Sequence, residues 1–245
     1  TLCLAGLAGI GGGALIARLL GEGRGEEAKR VSAFSLYLGM VIAAAFSLGM
    51  DLFMEPILKM LGANANTYEF ARQYAACVIV VGGIPTVLSN VLSNLIRSIG
   101  RSREAGFGII LGGVLNIALD PLFMFVLLPK GHQVLGAGIA TCLSNCVACG
   151  FFLLVLRRMG STSIITFSPR VGLAQRESIL AVFAVGVPSA ITTFLFDLDY
   201  VIIDKLMVSY HDLALAAIGI VLKVERFPLN VGIGICQGMM PVVAY

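Results

Sequence analysis

Gly106–Leu128 reads GFGIILGGVLNIALDPLFMFVLL, an apolar run with one carboxylate, Asp120, near its middle. At about 1.5 Å per residue, an α-helix of this length crosses a hydrocarbon core of about 30 Å. A carboxylate at that depth costs roughly 2.5–3.5 kcal/mol, so it needs a partner, a proton or a cation. Asn116 lies one helical turn earlier on the same face. Pro121 follows Asp120 directly and removes one helical hydrogen bond, which frees a carbonyl. Two readings fit the segment. Asn116, Asp120 and the freed carbonyl form a site for a small cation or proton, or the helix is kinked there with its polar residues facing a protein interior.

The rest of the chain has the same character. Of its 245 residues 58% are hydrophobic and 13% charged, and the mean hydropathy is +0.95. A soluble domain carries about 25% charged residues, so this is an all-α, polytopic membrane helix bundle in contact with the lipid bilayer. The net charge is only +3, with no lysine-rich tract, so nucleic acid is not a partner. Residue 1 is Thr and an apolar run begins at once, while Tyr245 closes another apolar run; we expect a piece of a longer protein. The six cysteines all fall in apolar segments and are no secreted disulfide framework, and nothing resembles a cleavable signal peptide.

Seven spans emerge, at about 1–20, 32–54, 70–96, 105–128, 135–156, 178–207 and 213–244. Placing the loop Gly21–Val31 in the cytoplasm puts eleven basic residues inside (Arg18, Arg24, Lys29, Arg30, Arg97, Arg101, Arg103, Arg157, Arg158, Arg170, Arg176). Only four, Lys59, Arg72, Lys130 and Lys205, then lie outside. That bias makes the loops Gly21–Val31, Arg97–Glu104 and Arg157–Glu177 cytoplasmic in the plasma membrane. Arg157–Glu177 is the longest connection, and its Gly, Ser and Pro content marks a linker between two bundles, 1–156 and 178–245. Gly9-Ile10-x-x-Gly13 recurs as Gly234-Ile235-x-x-Gly238, a faint echo of repeated halves. The pairs Gly108/Gly112 and Gly234/Gly238 have the spacing of close helix packing. Prolines at 85, 121, 188, 228 and 241 point to bent helices around a cavity.

Other polar residues lie within spans. Asn90 and Asn94 share a face, where they either bond a neighbouring helix or line a pathway with Asn116 and Asp120. Thr193, Asp197, Tyr200 and Asp204 form one stripe on the sixth span, with Asp199 pointing elsewhere. The seventh span carries Lys223, Glu225 and Arg226. A turn near 210–211 would set Asp197 level with about residue 224. We therefore expect an ion pair between Asp197 or Asp199 and Lys223 or Arg226, either static or broken when a proton or cationic substrate arrives. Cys142, Cys146 and Cys149 match the ligand spacing of a radical-enzyme iron–sulfur cluster. They lie in an uncharged span rather than a loop, so helix packing is the reading they favour and a membrane iron–sulfur enzyme the remote alternative. The Gly-rich start lacks the GK[ST] of a phosphate loop, and His132 and His211 have no ligand-spaced companions, so no metal site is indicated.

LSNLIRSIGRSREAGFGIILGGVLNIALDPLFMF, then VLGAGIATCLSN, resembles the multidrug and toxin extrusion (MATE) transporters, and the ending GIGICQGMMPVVAY is similar to their eighth helix. The resemblance implies helices 2 through 8 of a twelve-helix, two-lobe transporter and no enzymatic activity. It implies a cation-coupling site at Asp120 and Asn116, with Asn90 and Thr141 at further polar positions of that pocket; the family's acidic residue on helix 1 precedes this chain. It implies antiport by a monomer, with lobes rocking so that entry of H⁺ or Na⁺, without a cofactor, drives export of small organic cations. Asn94, Asp197, Asp199, Tyr200, Asp204, Lys223, Glu225 and Arg226 would then face the substrate cavity, although the cluster on the last span carries no family role. A lipid-linked oligosaccharide flippase of the same superfamily is the alternative, kept open by Lys223 and Arg226.

Overall fold

The structure is a computed structural model describing residues 2–60, 67–128, 133–160, 164–167, 175–208 and 212–244. Its helices are α1 (Leu2–Gly21), α2 (Gly25–Leu52), α3 (Met54–Met60), α4 (Tyr68–Ala75), α5 (Gly83–Ser98), α6 (Ser102–Pro121), α7 (Gln133–Met159), α8 (Arg176–Val208) and α9 (Asp212–Ala244). Wider π-helical turns cover Ala76–Val81 and Leu122–Leu127. Five helices are long and apolar enough to cross a membrane, and α4 with α5 makes a sixth if the bent pair is one span. The expected seventh span forms as the 33-residue helix α9.

The third expected span, 70–96, is broken rather than straight. Its two parts meet at an angle of 49°. Pro85 has no N–H for the Val81 carbonyl, and the Gly82 N–H reaches back five residues to the Cys77 carbonyl. The Thr86 hydroxyl donates to the Gly82 carbonyl at 2.7 Å and repairs part of the loss. The same chemistry recurs at Pro121, where α6 passes into the second π-helical turn.

A buried core joins α1, α2, α5 and the inner end of α7 through Ile16, Leu36, Val91, Leu92, Leu95 and Phe152. α1 lies centrally against α2, α5 and α8. Its closest approach is to α8, where a Cβ on Gly11 would strike the Val182 carbonyl and the backbone of Gly186. A Cβ on Gly186 would in turn strike the Leu7 carbonyl, so the two backbones cross almost in contact. The α1–α2 turn relies on Gly23 at φ +75°, which lets the Arg24 N–H return to the Leu19 carbonyl. Hydrogen bonds from Arg18 and Arg24 hold the Glu22 carboxyl there below its usual range.

The expected linker divides differently from its sequence limits. α7 continues through Met159 and α8 begins at Arg176, while 161–163 and 168–174 lie outside the described residues. Ile164–Phe167 runs along α2: the Ser32 hydroxyl donates to the Ile164 carbonyl at 2.9 Å, and Tyr37 donates to the Phe167 carbonyl at 2.6 Å. Gly234 and Gly238, expected as a packing pair, meet only open space, whereas Gly108 and Gly112 seat Phe152 and Ala148 of α7.

Substituting Gly186→Leu should therefore push α8 off α1 and lower stability by about 3 kcal/mol or more. Gly106→Ala, which meets open space within a helix, should leave stability unchanged or slightly raised. Thermal unfolding of the complete protein in detergent distinguishes them, and equal melting temperatures would refute the close crossing.

Candidate functional site

α6 and α7 meet at a polar cluster formed by Asn116, Asp120 and Thr141, all half-buried. The Asn116 Nδ2 donates to Thr141 Oγ1 at 3.3 Å and reaches Asp120 Oδ1 at 3.5 Å. Thr141 uses its own hydrogen on the Ala137 carbonyl at 2.9 Å. Among the described residues no cation pairs with Asp120. Pro121 withholds a donor from the Ile117 carbonyl, and the Leu122 N–H turns to Leu119 rather than Ala118. The turn that carries Asp120 is thus rich in acceptors and poor in donors, which is the electrostatic character of a cation or proton site.

Asn90 does not hydrogen-bond this cluster. Its amide donates to the Thr86 carbonyl at 2.8 Å, and its side chain lines a separate pocket of about 110 Å³ with Ser89, Ser93, Asn145 and Gly112/Gly113. Gly113 is one turn from Asn116 on α6, so the pocket adjoins the cluster. Asn94 likewise donates to the Asn90 carbonyl at 3.0 Å. Both asparagines spend their amide hydrogens on their own helix, where the backbone carbonyl one turn back is the nearest acceptor.

The asparagines belong to a longer track that the sequence reading missed. Asn145 of α7 donates to Thr86 Oγ1 at 2.8 Å at one end. At the other, Arg97 donates to Asn94 Oδ1 at 3.2 Å and to Gln237 Oε1 of α9 at 2.8 Å. Arg97 is only 7% exposed and has no carboxylate partner among the described residues. Its place at the end of the Thr86, Asn90, Asn94 series was a usable signal. Gln237, a lone amide in an apolar run, offered none.

The stripe on α8 is only partly assembled. Thr193 donates to the Ser189 carbonyl at 3.0 Å, while Asp197 and Asp199 are exposed. The expected pairing of either aspartate with Arg226 does not form: the guanidinium lies over the Tyr200 ring, 4.0 Å from its centroid. A long arginine side chain reaches along the helix, and the ring face rewards a cation without requiring a carboxylate at the same depth. Glu225 is exposed on α9. The side chains of Asp204 and Lys223, and residues His132 and His211, lie outside what the structure describes. Cys142, Cys146 and Cys149 sit within the unbroken helix α7.

The MatE family profile matches residues 2–122. A multidrug export protein, MepA of Staphylococcus saprophyticus, is 32% identical over 242 residues, covering 99% of this chain and 52% of that relative. Two solved structures superpose over 99% of the chain and 52% of theirs. One is described as the outward-facing conformation of a multidrug resistance MATE family transporter of the MOP superfamily (TM-score 0.81, 24% identity), the other as an inward-facing conformation (TM-score 0.78, 23%). The chain spans about half the length of the curated relatives it matches.

A charge-assisted bond from Arg97 to Gln237 should show a coupling energy of about 1.5–3 kcal/mol. A double-mutant cycle of Arg97→Met and Gln237→Leu, read by unfolding of the complete protein in detergent, measures it. Additivity within about 0.5 kcal/mol would mean that the contact is energetically empty.

Proposed function

Because the chain belongs to the multidrug and toxin extrusion family of membrane transporters, we propose that it supplies the first bundle and the start of the second in an ion-coupled exporter of small organic cations. The observation that carries this reading is Asp120: a half-buried carboxylate held by one long amide contact, with Thr141 behind that amide and a proline beside it. Such a group retains unused acceptor capacity inside an apolar bundle, and a proton or Na⁺ supplies what is missing. Loading or unloading the ion changes the charge of the turn, and that change biases two arrangements of the bundles. In this reading 1–156 is one lobe, 178–245 begins the other, and 157–177 joins them.

The Arg97–Gln237 contact then acts across the lobes. It joins α5 to α9 near the arginine-rich face of the membrane, so it belongs to the arrangement in which the cytoplasmic mouth is closed. The relatives' descriptions as inward-facing and outward-facing structures support a cycle with two such arrangements. Asn90, Asn94 and the exposed Asp197 and Asp199 are the groups offered to cationic cargo.

Asp120→Asn in the complete protein should abolish ion-driven efflux while leaving the folded yield unchanged, because the amide keeps the shape and loses the charge. Efflux of a fluorescent organic cation from proteoliposomes under imposed pH or Na⁺ gradients measures this and identifies the driving ion. Persistence of wild-type efflux with its ion dependence intact would overturn the role of Asp120. Thr141→Val, which removes the acceptor that aims Asn116, should weaken the dependence on the driving ion without abolishing transport.

A further inference from the structure

We propose that the outer face of the α6/α7 hairpin is a binding site for one anionic phospholipid of the cytoplasmic leaflet. An apolar groove of about 580 Å³ runs along α7 between Leu111 and Leu154 and ends at Arg157. Val147, Gly150, Phe151 and Leu153 also line it, and at Gly150 nothing lies within 4 Å of the position a Cβ would occupy. The neighbouring side chains face outward: Phe107 is 57% exposed and Ile110 62%. On this proposal the surface meets acyl chains, and a groove lined by glycine accepts one chain along its length.

Charge at one end selects the head group. The antiparallel register of the hairpin is fixed where Gly108 seats the Phe152 ring and where the Phe107 and Phe151 rings stand 5.4 Å apart. Five residues further toward the cytoplasmic end, Arg103 comes level with Arg157. Arg103, Arg157 and Arg158 are exposed and form no ion pair among the described residues. Among the described residues at this end of the hairpin, the carboxylate of Glu104 is taken by Arg101 at 3.2 Å. Arg157 thus stands at the mouth of an acyl-sized groove, with Arg103 level with it on α6 and Arg158 beside it on α7, on the side where anionic lipid is concentrated. A zwitterionic head group would offer the same phosphate but bring a quaternary ammonium close to the guanidinium groups, which offsets part of the attraction. The occupant is therefore a phospholipid with net negative charge, and this site does not depend on the proposed transport cycle.

Native mass spectrometry of the complete protein, released from nanodiscs of equimolar dioleoyl phosphatidylglycerol and dioleoyl phosphatidylcholine, tests the proposal. The wild type should retain one phosphatidylglycerol in preference to phosphatidylcholine. Each of Arg103→Gln and Arg157→Gln should weaken that preference about fivefold. Gly150→Leu keeps every charge, enters open space, and should displace the lipid while the protein stays folded by thermal unfolding. Equal retention of the two lipids overturns the proposal. So does unchanged phosphatidylglycerol retention in the arginine variants or in Gly150→Leu. Displacement of the lipid by soluble glycerol phosphate, or a protein dimer that Gly150→Leu dissociates, would overturn it as well.

Discussion

Asn116 stands between Thr141 and Asp120, and its orientation dictates what the site can accept. Thr141 has already donated its hydrogen to the Ala137 carbonyl, so toward Asn116 it is an acceptor only. Asp120 as a carboxylate is an acceptor as well. The amide must therefore turn its NH₂ to both, and the observed contacts at 3.3 and 3.5 Å follow that requirement. An ionised carboxylate offers about four lone-pair positions, and one long amide contact uses little of that capacity. In water the remainder would be hydrated. Between spanning helices the remainder needs further donors, and Pro121 brings no backbone N–H to this turn.

The way α1 packs explains how α8 is held. α1 is enclosed by α2, α5 and α8, and its glycine face lets the α8 backbone come into direct contact at Gly11 and Gly186. Dispersion between backbones that close is what holds helices together in lipid, where apolar side chains gain nothing by leaving the acyl chains. α8 is consequently held by α1 along its first half. Its second half, with Phe194, Leu195 and Phe196 more than half exposed, touches α9 through the Tyr200–Arg226 stack. The strap Ile164–Phe167, bonded to Ser32 and Tyr37 of α2, holds the path between α7 and α8 against α2.

Much of this was legible in the sequence because lipid enforces simple rules. Uninterrupted apolar length gave the spans, and a lone carboxylate before a proline gave the cluster on α6. Thr141 could be joined to that cluster only through the family likeness, since residues 25 positions apart on different helices share no periodicity. The break in the third span was hidden because Pro85 marks a weakness without fixing its angle; the π-helical turn and the Thr86 hydroxyl do that. The expected pairing of Asp197 or Asp199 with Arg226 did not form because depth was counted in residues, while the Lys223 side chain lies outside the described residues. An arginine extends a full turn along its helix and met an aromatic face first. Asn90 was joined to Asp120 through the family likeness, and of the two readings open for its helix face the amide hydrogen itself goes to the Thr86 carbonyl four residues away, while the side chain lines the adjoining pocket.

Magnitudes decide how the proposed two-state element is shared out. Moving a bundle from about 1:99 to 99:1 between two arrangements takes roughly 5.5 kcal/mol of differential binding. One charge-assisted hydrogen bond such as Arg97–Gln237 contributes about 1.5–3 kcal/mol, so it cannot hold one arrangement alone. An unpaired carboxylate at depth costs roughly 2.5–3.5 kcal/mol, and neutralising it releases an amount of the same order. Neither term suffices alone, and together they amount to roughly 4–6.5 kcal/mol, which brackets the requirement. In the proposed cycle the arginine bridge and an ion at Asp120 would therefore have to act in the same direction. The hydrogen-bonded track from Arg97 through Asn94, Asn90 and Thr86 ends on Asn145 of α7 and makes no bond to the Asn116–Asp120 cluster among the described residues, so it ties α5 to α7 and α9 rather than to the turn that carries Asp120.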